Sequence, residues 1–182
     1  MNDTPQTAKY HTGLVQIFTG DGRGKTSAAL GTVMRASGYG LKAYIVFFLK
    51  GLHEGGEYKS LKRLPGIDYA IFGRTDFMGP QHTTQADLDY ARQALAEAKK
   101  VISSGEYDVI MLDEINTASA WKLINVEDVV ELIKSKPEKV ELILTGRHAD
   151  TRLVVLADQV TELVNRKHPF EKGVDARQGI DY

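Results

Sequence analysis

The residues best equipped for chemistry stand together in the segment Thr19-Gly20-Asp21-Gly22-Arg23-Gly24-Lys25-Thr26. Glycines at 20, 22 and 24 let the backbone curl so that successive amides face inward, an arrangement that suits phosphate oxygens. Lys25 adds a mobile positive charge, and the Thr26 hydroxyl is a hard oxygen ligand for magnesium. A Gly-Lys-Thr tripeptide also arises by chance, so its context must decide. The apolar run Leu14-Val15-Gln16-Ile17-Phe18 leads in, and Ser27-Ala28-Ala29-Leu30 with Val33-Met34 leads out as a helix stopped by Gly38 and Gly40. Strand, glycine-rich turn and helix in that order read as a phosphate-binding loop, and the expected ligand is a nucleoside triphosphate. The loop is a variant. Where the common pattern has a glycine five residues before the Gly of Gly-Lys-Thr, this chain has Thr19, with Gly20 one step late.

Two further segments belong on the same rim. The strand Tyr107-Asp108-Val109-Ile110-Met111-Leu112 runs into Asp113-Glu114, as expected of acids that face a phosphate loop across a sheet. Asp113 or Glu114, together with Thr26, can hold one magnesium ion. Thr145-Gly146-Arg147 also follows a strand directly; Arg147 is either a phosphate clamp or a helix cap and partner for an acid, and position leaves both open. The histidines (His11, His53, His82, His148, His168) show no ligand spacing on one helix face, and zinc is not indicated.

The elements that must position these residues alternate along the chain. Ala43 to Phe48 is an unbroken apolar run of strand length, Glu57 to Leu64 a short helix stopped by Pro65-Gly66, and Asp68 to Phe72 a third strand. An irregular connection from Gly73 to Thr83 precedes a helix that opens with a Thr84–Asp87 capping box and carries Leu88, Ala91, Leu95, Ala98 and Ile102 on one face. After the acidic strand, Asn125 with Asp128 is expected to cap a helix burying Val129, Val130, Leu132 and Ile133. Val140 to Leu144 is a strand, Asp150 caps a short helix through Leu156, and Val160 to Val164 is the last strand. Such alternation predicts an α/β fold of three layers, a parallel sheet with helices on both faces. Residues 1–182 are expected to form a single domain, with 1–12 as an N-terminal arm and 165–182 as a C-terminal tail.

Composition narrows the function classes. The absence of cysteine excludes thiolate metal sites, iron-sulfur clusters and cysteine nucleophiles, and suits a reducing compartment. A formal net charge of -1 with interspersed acids and bases provides no basic stripe, so nucleic acid is not an expected partner. No run approaches the ~20 apolar residues of a membrane span, and the first dozen residues lack an apolar stretch of the signal-peptide kind. The expected location is the cytoplasm.

With these segments in hand, the chain resembles the ATP:corrinoid adenosyltransferases, the family that acts on cob(I)alamin and on its precursor cob(I)yrinic acid a,c-diamide. The resemblance covers nearly the whole chain. It rests on Phe18 through Thr26 with Gly31 and Arg35, on Leu112-Asp113-Glu114, and on Leu144-Thr145-Gly146-Arg147 with Leu156-Ala157-Asp158. Most specific are Lys167-His168-Pro169-Phe170 and the ending Gly173-Val174-Asp175-Ala176-Arg177-Gln178-Gly179-Ile180-Asp181-Tyr182. The displaced first glycine is also how this family writes its loop.

The resemblance implies a P-loop NTPase (RecA-like) fold and a reaction in which cobalt(I) of a reduced corrinoid attacks the 5′-carbon of ATP and expels triphosphate. The metal centre of the substrate would be the nucleophile, so the protein needs no nucleophile of its own. Implied catalytic residues are Lys25 and Glu114. The implied ATP-binding set is Thr19, Gly20, Asp21, Gly22, Arg23, Gly24, Lys25, Thr26, Ser27, Arg35 and Arg147, and the implied magnesium ligands are Thr26, Glu114 and Asp113. Arg35 lies nine residues beyond Thr26, about 14 Å along a helix, so it serves another part of the ATP or a helix-end ion pair, or is simply an exposed helix-end arginine. In the loop after the third strand, Phe77 and Met78 stand where the family has corrinoid-wall residues that help exclude the lower axial ligand. The tryptophan expected there is missing, and the chain's single tryptophan is Trp121. A homodimer and an electron donor that reduces cobalt are implied partners. The competing reading is a phosphate-loop ATPase or kinase, with Glu114 orienting a water or acceptor hydroxyl toward the γ-phosphate.

Overall fold

In the computed structural model, which describes residues 12–51, 55–75 and 79–180, six strands form one sheet. The strands are β1 (Val15–Thr19), β2 (Ala43–Phe47), β3 (Ile67–Ile71), β4 (Val109–Asp113), β5 (Glu141–Thr145) and β6 (Gln159–Glu162). Every pairing is parallel, in the order β3-β2-β4-β5-β1-β6. The helices are α1 (Lys25–Gly38), α2 (Gly56–Leu61), α3 (Gln85–Ser104), α4 (Ile115–Ala120), α5 (Val126–Ser135) and α6 (Thr151–Leu156).

Alternation of side chains along the central strands divides the core in two. Ala43, Ile45 and Phe47 of β2 and Val109 and Met111 of β4 pack with Ala29 and Val33 of α1 and Tyr58 and Leu61 of α2. Val46 of β2 and Ile110 and Leu112 of β4 pack on the other face with Ala91, Leu95, Ala98 and Ile102 of α3 and Val129 and Leu132 of α5. A strand buried on both faces must be apolar at every position, which is why the runs 43–48 and 109–112 carry no polar alternation. The result is the expected three-layer α/β fold.

Some local expectations need correction. Helix α4 follows Glu114 directly, where no helix is legible in the sequence. Asn125 occupies the N-cap of α5 but its side chain makes no capping bond; its carbonyl instead accepts from the Asp128 amide at 3.1 Å. The last strand ends at Glu162 rather than Val164 and forms the sheet edge, leaving Val160 and Val164 exposed. The other caps form as expected: Thr84 and Asp87 make the reciprocal capping box, and the Asp150 carboxylate accepts from the Arg152 amide at 2.9 Å.

Candidate functional site

The phosphate loop leaves β1 and enters α1 through Gly24, whose φ of 111° lies in the left-handed region. The loop is pressed against the segment after β6. The Gly22 amide donates to the Leu163 carbonyl at 2.7 Å, and a Cβ on Gly22 would lie 2.6 Å from that oxygen. Lys25, only 8% exposed, folds its ammonium back onto the loop, donating to the carbonyls of Gly20 and Gly22 at 2.8 Å each. Burial lowers the Lys25 pKa; the Glu114 charge opposes that shift and the Arg147 charge reinforces it.

Across the rim, Asp113 ends β4 with no solvent exposure. Its Oδ1 accepts from the Thr26 hydroxyl at 2.8 Å and from the Thr145 hydroxyl at 2.7 Å. The sheet order explains this triple contact, because β5 lies between β4 and β1 and its last residue, Thr145, fills the gap between acid and loop. Thr145 Oγ1 also accepts from the Glu114 amide at 2.9 Å, holding Glu114 at φ 62°, a conformation that costs a non-glycine residue on the order of 1 kcal/mol or more. The turn frees the Glu114 carboxylate to face the loop. Its Oε2 accepts from Thr117 Oγ1, which in turn accepts from the Arg147 amide at 2.8 Å. Asp113 Oδ2 is buried and has no hydrogen-bond donor among the described residues; the Lys50 ammonium stands 3.5 Å away, at ion-pair distance.

A cleft of about 890 Å³ opens above these groups, walled by residues 21–27, Lys50, Glu57, Glu114, Arg147 and the C-terminal segment. The structure therefore brings together Asp21, Gly22, Arg23, Gly24, Lys25, Thr26, Ser27, Glu114 and Arg147 from the sequence-derived set. Thr19 and Gly20 lie beneath the loop: the Thr19 hydroxyl accepts from the Ala149 amide at 3.2 Å, and the Gly20 carbonyl is taken by Lys25. Asp113 sits behind Thr26, with Oδ1 already shared by two hydroxyls. Arg35 is exposed in the last turn of α1 and does not line the cleft. Phe77 and Met78 lie outside the described residues, as do His11, His53, Asp181 and Tyr182.

Several lining groups were not legible beforehand. The C-terminal segment contributes His168, Val174, Asp175 and Ile180 to the wall, and the Arg23 guanidinium donates to the Ile180 carbonyl. Thr117 lies in the unforeseen helix α4. Lys50 looks in sequence like any lysine after an apolar run; the only signal was its place immediately beyond a strand buried on both faces.

The oxygen donors suit magnesium. Among the described residues no cluster of three or more His, Asp or Glu side chains forms a protein-only cage. Magnesium characteristically needs only one or two protein oxygens besides phosphates and water, and the Thr26 hydroxyl and the Glu114 carboxylate meet that requirement, whereas Asp113, buried behind Thr26, orients that hydroxyl and pairs with Lys50 instead of lining the cleft.

Comparison with known proteins adds the decisive observation. The profile of the family described as ATP:corrinoid adenosyltransferase BtuR/CobO/CobP matches residues 11–182. The chain belongs to this family. Among curated members, the corrinoid adenosyltransferase of Escherichia coli (strain K12) is 35% identical over 175 residues, 96% of this chain and 88% of the relative. The corrinoid adenosyltransferase CobA of Salmonella typhimurium is 33% identical over 175 residues, again covering 96% and 88%. Solved structures with the same fold include a KaiC-like protein from Pyrococcus horikoshii OT3 (TM-score 0.59, 16% identity, 86% of this chain and 75% of that one). The flagellar accessory protein FlaH from Methanocaldococcus jannaschii is another (TM-score 0.55, 17% identity, covering 83% and 71%). The adenosyltransferase chain thus has a P-loop NTPase, RecA-like fold.

Proposed function

We propose that this adenosyltransferase moves the 5′-deoxyadenosyl group of ATP onto the cobalt of a reduced corrinoid. Cobalt(I) supplies the electron pair for the new cobalt–carbon bond. The C5′–O5′ bond breaks, its electrons leave on the triphosphate, and cobalt ends formally as cobalt(III). The observation that carries this reading is the family match, which extends through the C-terminal segment that walls the cleft. Membership favours it over γ-phosphoryl transfer, whose machinery would share the same loop.

On this reading the chain's task is to position ATP and stabilise charge on a departing triphosphate. Loop amides 23–26 and the Lys25 ammonium serve that end, and Lys25 would exchange its two loop carbonyls for phosphate oxygens. Magnesium, when bound, would draw charge from the phosphates. Thr26 and Glu114 are the residues that would hold it, and the hydrogen bond that the Thr26 hydroxyl donates to Asp113 would leave that oxygen's lone pairs available to the ion. Arg147 is assigned to the phosphates, and Phe77 and Met78 to the corrinoid wall. Arg35 lies outside the cleft, so an ATP contact there would require the nucleotide to reach the far end of α1 or a partner chain to bring another surface.

We further assign the chain a single domain, a homodimeric state, a cytoplasmic location and dependence on an electron donor that keeps cobalt reduced. Among the described residues no helix is long and apolar enough to cross a membrane. The function is tested by mixing the protein with Mg-ATP and chemically reduced cobalamin while following the cobalt spectrum and phosphorus products together. Adenosylcobalamin with equimolar triphosphate supports the proposal, and orthophosphate with an unaltered corrinoid refutes it.

A further inference from the structure

Lys50 is a half-buried cation of the cleft that none of the assigned phosphate or magnesium contacts uses. Beyond β2 the chain passes through Phe48, fully buried, and Leu49, whose φ of 58° is left-handed for a leucine. This unfavourable turn is held on both sides. The Lys50 amide donates to the Phe72 carbonyl at 3.1 Å, and Gly51 meets residues 74 and 75 so closely that a Cβ would lie 2.4 Å from Thr75 Cα. A non-glycine residue held left-handed and clamped by its neighbours marks a side chain whose direction matters. The residue after this turn, Lys50, lines the cleft together with Lys25, Thr26 and Glu114.

Its charge is secure. The Asp113 carboxylate stands 3.5 Å from the ammonium, and Glu114 and Glu57 line the same cleft, so carboxylates surround the charge. It is not consumed by structure either. The distance of 3.5 Å to Asp113 Oδ2 is an ion-pair distance, that oxygen has no hydrogen bond among the described residues, and the lysine side chain stays 31% exposed. The two oxygens of one carboxylate thus face Thr26 on one side and Lys50 on the other, setting a fixed ammonium beside the hydroxyl assigned to the metal.

We infer that Lys50 is a second triphosphate-binding cation, which holds the leaving group from the segment beyond β2 and complements Lys25. A group that must carry away a triphosphate gains from two charges held before it arrives, because no reorganisation is then needed at the moment of bond breaking. This inference rests on the adenosyltransferase reading, since it assigns Lys50 to the triphosphate as leaving group.

The test uses inorganic tripolyphosphate with magnesium as the probe, measured by calorimetry on the full chain, alongside adenosyl transfer. Lys50→Met should weaken tripolyphosphate binding about tenfold or more, as loss of one charge-assisted hydrogen bond implies, whereas Lys50→Arg should restore most of it. Adenosine binding should be unchanged in both variants. Should Lys50→Met not fold, the wild-type protein decides: acetylation of Lys50 read by mass spectrometry should slow when magnesium tripolyphosphate is added. Equal tripolyphosphate affinity in wild type and Lys50→Met, or Lys50 acetylation indifferent to the probe, overturns the assignment. A wild-type protein that binds tripolyphosphate but never adenosylates a corrinoid leaves Lys50 a phosphate-binding residue and removes the leaving-group role with the parent reading.

Discussion

Replacing Asp113 by asparagine should reveal how much of the site hangs on one carboxylate. Its Oδ1 accepts from Thr26 and Thr145 at 2.8 and 2.7 Å, and its Oδ2 faces the Lys50 ammonium at 3.5 Å. A hydrogen bond to a charged acceptor contributes about 1 kcal/mol more than one to a neutral amide, so two weakened bonds cost about 2 kcal/mol. The Lys50 pair adds about 1 kcal/mol, discounted because the lysine side chain is 31% exposed. Relief from burying a fully enclosed charge offsets part of this, leaving a net loss of about 2 kcal/mol. Urea unfolding should therefore show a lower midpoint with an unchanged slope. Turnover should fall further than stability explains, by about tenfold or more at saturating Mg-ATP, because Thr26 loses the acceptor that aims its oxygen. A variant within about 0.5 kcal/mol of wild type that turns over at the wild-type rate would refute the view of Asp113 as the hub of the site.

Lys25→Ala should lower kcat by on the order of 100-fold in the cobalt-spectral assay while adenosine still binds, because only the departing charge loses its partner. Gly22→Ala places a methyl where 2.6 Å separates it from the Leu163 carbonyl, and calorimetry should show ATP binding lost or greatly weakened as the loop is displaced. The Asp150 carboxyl, held at about 2 by the Arg152 side-chain and backbone hydrogen bonds, is depressed relative to an unfolded aspartate near 3.9. Its contribution is therefore complete above pH ~4 and disappears as pH falls through about 2, so Asp150→Ala should be less stable than wild type at neutral pH and converge with it toward pH 2 in thermal unfolding.

Most of the framework could be read from the chain, because strands buried on both faces are written as apolar runs and the phosphate loop is written in glycines. What escaped depended on contacts distant in sequence. Ile115-Asn116-Thr117-Ala118-Ser119-Ala120 carries no capping signal, and its start is dictated by Glu114, whose left-handed turn is fixed by the Thr145 hydroxyl 31 positions away. Val160 and Val164 look like core residues, yet they lie at or beyond an edge strand that nothing local distinguishes from a central one. The C-terminal segment reads as a tail because it has no periodicity; its return to the phosphate loop, tied by Arg23 to the Ile180 carbonyl, emerges only in three dimensions. Lys50 escaped for the same reason, since the strain at Leu49 that aims it is invisible in sequence.

The central claim is that the phosphate loop holds a leaving group and not a transferred phosphoryl. ATP labelled with oxygen-18 at the 5′ bridging position, reacted with the protein and chemically reduced cobalamin, tests this directly by mass spectrometry of the products. Cleavage between C5′ and O5′ predicts all of the label in triphosphate and none in the adenosyl product. Label recovered in ADP with release of unlabelled orthophosphate, or label retained on the nucleoside, would contradict the account.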